Sequence, residues 1–175
     1  MEIKKWKKLK TKRVYDNFKK MDVETFLMPD GKTKDFDIAS NKSNAVISVV
    51  GLTKNKDVIL IKQYRPGPEK IFYEFPLGLV EKGEDVLSAA KREFLEETGH
   101  IGNFKKVGVE YVSAYSKVAI HCFLALDCEK KTDKLTLDEG EFIEVHLFSL
   151  EKVKEMLKRA EIRNFGEGYL ALDNL

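Results

Sequence analysis

Hydrophobic residues fall in short strand-like runs along most of this chain, with one helix-spaced stretch in the middle. Ala45-Val46-Ile47-Ser48-Val49-Val50-Gly51-Leu52 is a β-branched run with the character of a buried strand. Asn55-Lys56-Asp57 predicts a turn, and Val58-Ile59-Leu60-Ile61-Lys62-Gln63-Tyr64 a returning strand. Pro66-Gly67-Pro68 predicts a loop, and residues 71–75 a short strand leading to Pro76. Further strands are predicted near 104–112, 118–127 and 142–148. Ser149-Leu150-Glu151 opens a helix with Val153, Met156 and Leu157 as its apolar stripe, and Tyr169 to Leu172 predicts a last helical turn. Ahead of all this, Lys12 to Phe18 and Val23 to Gly31 alternate like strands, and Asp30-Gly31 is a turn signal. The order sheet, helix, sheet, helix predicts an α+β sandwich with a mixed sheet, preceded by an N-terminal β-strand layer.

The central helix carries the chemistry. Arg92-Glu93-Phe94-Leu95-Glu96-Glu97 packs three carboxylates into five residues. With Arg92 at zero and about 100° per residue, Glu96, Glu93 and Glu97 fall at about 40°, about 100° and about 140°. By the same count Leu87, Ala90 and Phe94 fall at about 220°, about 160° and about 200°, which predicts the core stripe. Ala89, at about 60°, is expected to leave room for an ion in the charged face. Like charges at helical spacing repel, and a divalent cation turns that repulsion into binding. A solvated charged face is the plainer reading of most charge runs. It does not account for the included Arg92, for a glycine at each end, or for Glu84. Gly83-Glu84-Asp85 is expected in the first helical turn, and Gly99 as the left-handed residue that ends the helix. Gly78 follows the extended Glu74-Phe75-Pro76-Leu77, so its loop brings backbone oxygens near the carboxylates.

Composition narrows the classes. A length of 175 residues suits one domain, 43% hydrophobic residues are ordinary for a globular protein, and a net charge of +2 gives no steer toward nucleic acid. No apolar run approaches a membrane span, and the start lacks the apolar core of a signal peptide. Cys122 and Cys128 would lie about 20 Å apart on one strand, too far to bridge, so a reduced, cytoplasmic protein is expected. The lysines around Trp6 are read as a solubilising terminus or a guarded strand edge rather than a nucleic-acid contact.

Gly78, five residues, Glu84, seven residues, then Arg92-Glu93-Phe94-Leu95-Glu96-Glu97-Thr98-Gly99 resembles the Nudix box. Every fixed Gly, Glu and Arg position is filled; His100 stands at the closing hydrophobic position. The N-terminal strands, Gln63-Tyr64-Arg65-Pro66 and Glu74-Phe75-Pro76 are similar to the ADP-ribose and nucleoside-diphosphate-sugar pyrophosphatase branch. The resemblance implies a Nudix-type α/β/α sandwich over residues 43–175, with residues 1–42 serving dimerisation and base binding. It implies hydrolysis of a pyrophosphate bond with Mg2+, for which Mn2+ can substitute. Glu93 and Glu97 are the implied first metal ligands, with Glu96 for a second ion and the main-chain oxygen of Leu77.

Arg92 would hold a carboxylate by a bidentate pair. The general base is expected after the helix, at Glu141, with Glu139 second. Arg65 is the candidate phosphate clamp. Tyr15, Phe18, Glu74 and Tyr115 complete the expected substrate contacts. Tyr111-Val112-Ser113-Ala114-Tyr115-Ser116-Lys117 lacks the proline and glycine of the family's ADP-ribose turn, which leaves other nucleotide sugars open. The implied partners are a nucleotide-sugar substrate and a second copy of the chain in a homodimer. A triphosphatase or dinucleoside polyphosphate hydrolase is the first alternative. A nonhydrolytic sensing module is the second, and that reading predicts lost carboxylates, none of which is lost.

Overall fold

The computed structural model describes residues 3–175, which divide into two compact units. The first runs to Asn44 and recruits Tyr111–Ala119; the second comprises Ala45–Glu110 and Ile120–Leu175. The expected unit from residue 43 onward therefore gives up its 111–119 segment to the first.

In the first unit, β1 (Lys7–Asp16), β2 (Lys19–Leu27) and β3 (Thr33–Asn41) form an antiparallel sheet in that order. The predicted Asp30-Gly31 turn closes the second hairpin, where Gly31 N–H donates to Met28 O at 3.0 Å. Residues 111–117 dock on β3 through Ala39 N to Tyr115 O (2.8 Å) and Lys117 N to Ala39 O (2.9 Å). The buried carboxylates of Asp22 and Glu24 are matched by Arg13, Lys8 and Lys117. Hydrogen bonds from Arg13 and Lys117 hold Asp22 at about 2. β1 is an exposed edge strand carrying four lysines, and Trp6 beside it packs against Phe26 and Phe36. The lysines therefore guard an edge.

The second unit has a sheet in the order β10-β5-β4-β9-β8, from β10 (Glu144–Ser149), β5 (Asp57–Arg65), β4 (Ala45–Thr53), β9 (Ala119–Lys130) and β8 (His100–Tyr111). Two short strands attach to it, β6 (Lys70–Glu74) on β5 and β7 (Leu77–Leu79) on β4. Ile47, Val49, Ile59, Phe123 and Ala125 face helix α1 (Val86–Thr98) in one apolar cluster. Val50, Leu52, Val58, Leu60 and Leu124 meet α2 (Leu150–Lys158) and α3 (Phe165–Leu172) in the other. Alternate residues of one strand thus feed opposite cores, which is why β4 and β5 are apolar almost throughout. This is an α+β architecture with helices on both faces of the sheet.

Both cysteines are free and buried, and burial pushes each thiol up to about 12. Among the described residues no helix is long and apolar enough to cross a membrane. α2 begins as expected, with Ser149 capping Lys152 N and Val153, Met156 and Leu157 buried. α3 is a full eight-residue helix, longer than the single turn expected, because Ala171 and Gly168 pack inward.

α3 also buries Glu167, at 4% exposure, and burial pushes its carboxyl up to about 7. Folded protein then holds a proton that the unfolded chain releases. Stability falls as pH rises from about 4.5 to about 7, and the full cost persists above that. Glu167→Gln should raise Tm at pH 8, by on the order of 2 kcal/mol in stability, and change it little at pH 4.5. Thermal unfolding of both proteins across that range checks the sign.

Candidate active site

α1 starts at Asp85, whose carboxylate accepts from Leu87 N (3.0 Å) and Ser88 N (3.1 Å). It ends at Gly99, with φ 72° and its N–H on Leu95 O. An added Cβ there would sit 2.2 Å from Thr132 O, so glycine is required twice over. Three expectations change. Glu84 precedes the cap and no acid lies in the first turn. Leu87 is 38% exposed, whereas Ala89 is fully buried in the core cluster. The buried residues Ala89, Glu97, Ala90 and Phe94 span about 60° to about 200° on the wheel, so the inward face takes in Ala89 and Glu97 and leaves Leu87 out. Ala89 therefore leaves room for the sheet, and the carboxylates border the core directly.

Arg92 organises the acids. Its Nε and Nη2 donate to the two oxygens of Glu84 at 3.0 Å each, the bidentate pair expected for it. Nη2 also donates to Leu79 O at 3.0 Å. Nη1 reaches Glu96 Oε2 and Glu93 Oε1, both at 3.0 Å. The hydrogen bond from Arg92 holds Glu84 below the usual carboxylate range, and these acids hold Arg92 above its ordinary value. Glu84 also accepts from Glu81 N, so the 79–84 loop is tied to the helix at both ends.

Glu93 and Glu97 are different. Burial pushes both carboxyls up, and Glu97 well up. Glu97 is 3% exposed and carries one hydrogen bond, from Leu77 N at 3.1 Å. Glu93 and Glu141 add negative potential on it. A Cβ at Gly78 would fall 2.0 Å from Glu93 Cδ, so a larger residue here would push the carboxylate out of its present place. A buried, crowded, under-bonded carboxylate beside two others requires a proton or a cation. Among the described residues no three His, Cys, Asp or Glu side chains converge closely enough to hold a metal ion by themselves. Arg92 Nη1 standing between Glu93 and Glu96 accounts for part of that spacing. A hard cation that keeps most of its waters needs only one or two carboxylates, so the donor set fits one.

Glu141 and Glu139 lie in the loop before β10. Asp138 and Glu141 close a tight turn, with Asp138 N donating to Glu141 Oε2 at 3.0 Å. Glu141 acts electrostatically on Glu93, Glu97 and Arg65. It lines an open cavity of about 430 Å³ with Lys62, Tyr64, Ile71 and Phe142. Glu139 is exposed.

Arg65 ends β5 and forks onto Glu74, with Nη2 to Oε2 at 2.7 Å and Nε to Oε1 at 3.0 Å. Glu74 was expected to touch substrate. Its side chain is instead fully buried and also gripped by Arg163, so it can act only through those arginines. Burial pushes the Glu74 carboxyl up, and the two guanidiniums outweigh this and hold it below its usual range. Tyr15, Phe18 and Tyr115 are exposed residues of the first unit, and Tyr115 stacks on Phe36 with centroids 6.1 Å apart. His100 is buried against Phe94 with Nδ1 on Thr98 O, a packing residue at the box's closing position.

The 162–164 segment was missed. Asn164 donates to Phe75 O (3.1 Å) and accepts from Phe75 N (2.9 Å), gripping the chain just before Leu77. A lone asparagine before a helix was its only sequence signal. It looks like a cap, yet it makes no capping bond to α3.

The NUDIX domain model matches residues 42–168. The chain belongs to the Nudix family and stands among its hydrolases, a family that generally uses a divalent metal. It is 32% identical to an ADP-ribose pyrophosphatase of Bacillus subtilis over 149 residues, covering 84% of this chain and 80% of that one. It is 28% identical to a methanol dehydrogenase activator of Bacillus methanolicus, covering 89% and 85%. A solved structure of an ADP compounds hydrolase shares the fold, with a TM-score of 0.84, 20% identity and coverage of 99% and 95%.

Arg92→Met should destabilise the protein by roughly 2 kcal/mol at pH 7.5, because it strands partly buried carboxylates. Glu84, held below 4.5 when folded, contributes fully above that value and loses its contribution as pH falls through the lowered one. The difference between the two proteins in urea unfolding should therefore shrink at pH 3.

Proposed function

We propose that the protein is a Mg2+-dependent pyrophosphohydrolase that cleaves ADP-ribose or a related nucleoside-diphosphate sugar into a nucleoside monophosphate and a sugar phosphate. The observation that carries this reading is the buried, under-bonded Glu97 beside Glu93, with Gly78 of β7 packed against the Glu93 carboxylate. The ADP-ribose pyrophosphatase relative supports the substrate class.

In this reading Glu93 and Glu97 hold the cation, with Glu96 and the Leu77 carbonyl as further oxygen donors. When bound, the cation supplies positive charge against the diphosphate and acidifies water for attack. Arg92 keeps the acids in place through Glu84 and the Leu79 carbonyl. Glu141 takes the proton from the attacking water; its electrostatic reach to Glu93 and Glu97 favours it over Glu139. Arg65, fixed by Glu74, presents its remaining N–H groups to a phosphate. Tyr15, Phe18 and Tyr115 serve the base or sugar, and the N-terminal strands serve a homodimer with a second copy.

The test is a product assay with Mg2+ across ADP-ribose, GDP-mannose, UDP-glucose, a dinucleoside polyphosphate and a nucleoside triphosphate. Release of nucleoside monophosphate and sugar phosphate supports the proposal. Turnover of triphosphates alone would sink it. The alternative is a non-catalytic nucleotide-sensing module, which the absence of turnover on every substrate would favour. Glu97→Gln should abolish Mg2+-dependent turnover with the fold intact. Glu141→Gln should lower kcat by about 10²-fold or more and leave Mn2+ affinity within twofold, as calorimetry would read it.

A further inference from the structure

One guanidinium balances one buried carboxylate, yet Glu74 has two. Arg163 donates from Nε to Oε1 at 2.6 Å and from Nη2 to Oε2 at 2.9 Å. Arg65 uses the same two nitrogens. Glu74 is 0% exposed, whereas the two arginine side chains are 29% and 36% exposed. The cluster therefore carries one surplus positive charge, and it sits at the surface. Among the described residues neither Nη1 has a protein partner, so each guanidinium still offers unused donors.

Arg163 is also held on a fixed backbone. Its N–H donates to Tyr73 O at 3.0 Å, Ile162 forms a parallel bridge with Tyr73, and Asn164 grips both backbone groups of Phe75. Ordering this side chain on a ligand would cost little further entropy. Glu74 lies three residues before Leu77, whose N–H meets Glu97 at 3.1 Å, so the two arginines it holds are tethered next to the acidic centre.

We infer that Arg163 is a second phosphate-binding residue, which holds the diphosphate together with Arg65 while Glu74 fixes both forks. This rests on the diphosphate reading above. An Arg163 that merely neutralises Glu74 would support stability and leave anion affinity alone.

The experiment compares wild type, Arg163→Met and Arg163→Lys in the full chain. Calorimetry with methylenediphosphonate and Mg2+ reads anion affinity, and kinetics on the best substrate read KM and kcat. Arg163→Met should weaken methylenediphosphonate binding and raise KM about tenfold, with kcat changed by less than about threefold. Arg163→Lys keeps the charge without the fork and should recover only part of the affinity. The inference is overturned if the folded Met variant binds methylenediphosphonate within twofold of wild type, or if kcat falls while KM and affinity hold. Should Arg163→Met not fold, the Lys variant decides: wild-type affinity overturns the inference and a threefold loss supports it. If wild type cleaves no nucleotide sugar, the reaction class fails by itself, and the methylenediphosphonate affinities still decide the role of Arg163. A wild type that does not bind methylenediphosphonate overturns it.

Discussion

The candidate site depends on one guanidinium. Arg92 touches Glu84, Glu93, Glu96 and the Leu79 carbonyl, so a single planar group ties the 79–84 loop to α1 and balances the acids around it. Arginine suits the task because its charge is permanent and its donors point in fixed directions. A lysine could offer the charge without reaching four acceptors in one plane. With the loop held, β7 lies close under Glu93, and Leu77 N–H finds Glu97.

The acids pay for that position in hydration. Glu93 and Glu97 share the inward face of α1 with Ala90 and Phe94, so one helix supports a core and a charged centre on adjoining strips. The core side fixes where the backbone runs, and the charged side uses that rigidity. Glu97 is left short of partners inside the fold, and burial together with the charge of Glu93 and Glu141 pushes its carboxyl well above the ordinary value.

Much of this was legible along the chain. Runs such as 45–52 and 58–64 were plain because a sheet covered on both faces needs apolar residues at nearly every position. The spacing from Gly78 to Gly99 identified the acidic centre, since each fixed residue has a steric or electrostatic reason to be there. Ala89 was misplaced because a wheel gives angles without saying where the sheet lies. Glu74 looked like a ligand contact because burial is invisible in sequence. Its second arginine, 89 residues away, had no local pattern to betray it. Tyr111–Ala119 joined the first unit through backbone bonds to Ala39, which depend on a long-range pairing that no short window contains.

The distance between Glu74 and its second arginine has a consequence for how the protein is made. As the chain leaves the ribosome, Glu74 and Arg65 appear together, nine residues apart, while Arg163 and Asn164 emerge much later. Until then Phe75 lacks the side chain that grips its amide and carbonyl, and the carboxylate beside it has only one of its two arginines. Closing so long a loop is entropically slow and comes late in folding. The box helix is therefore synthesised well before the side chain that grips the backbone leading to Leu77.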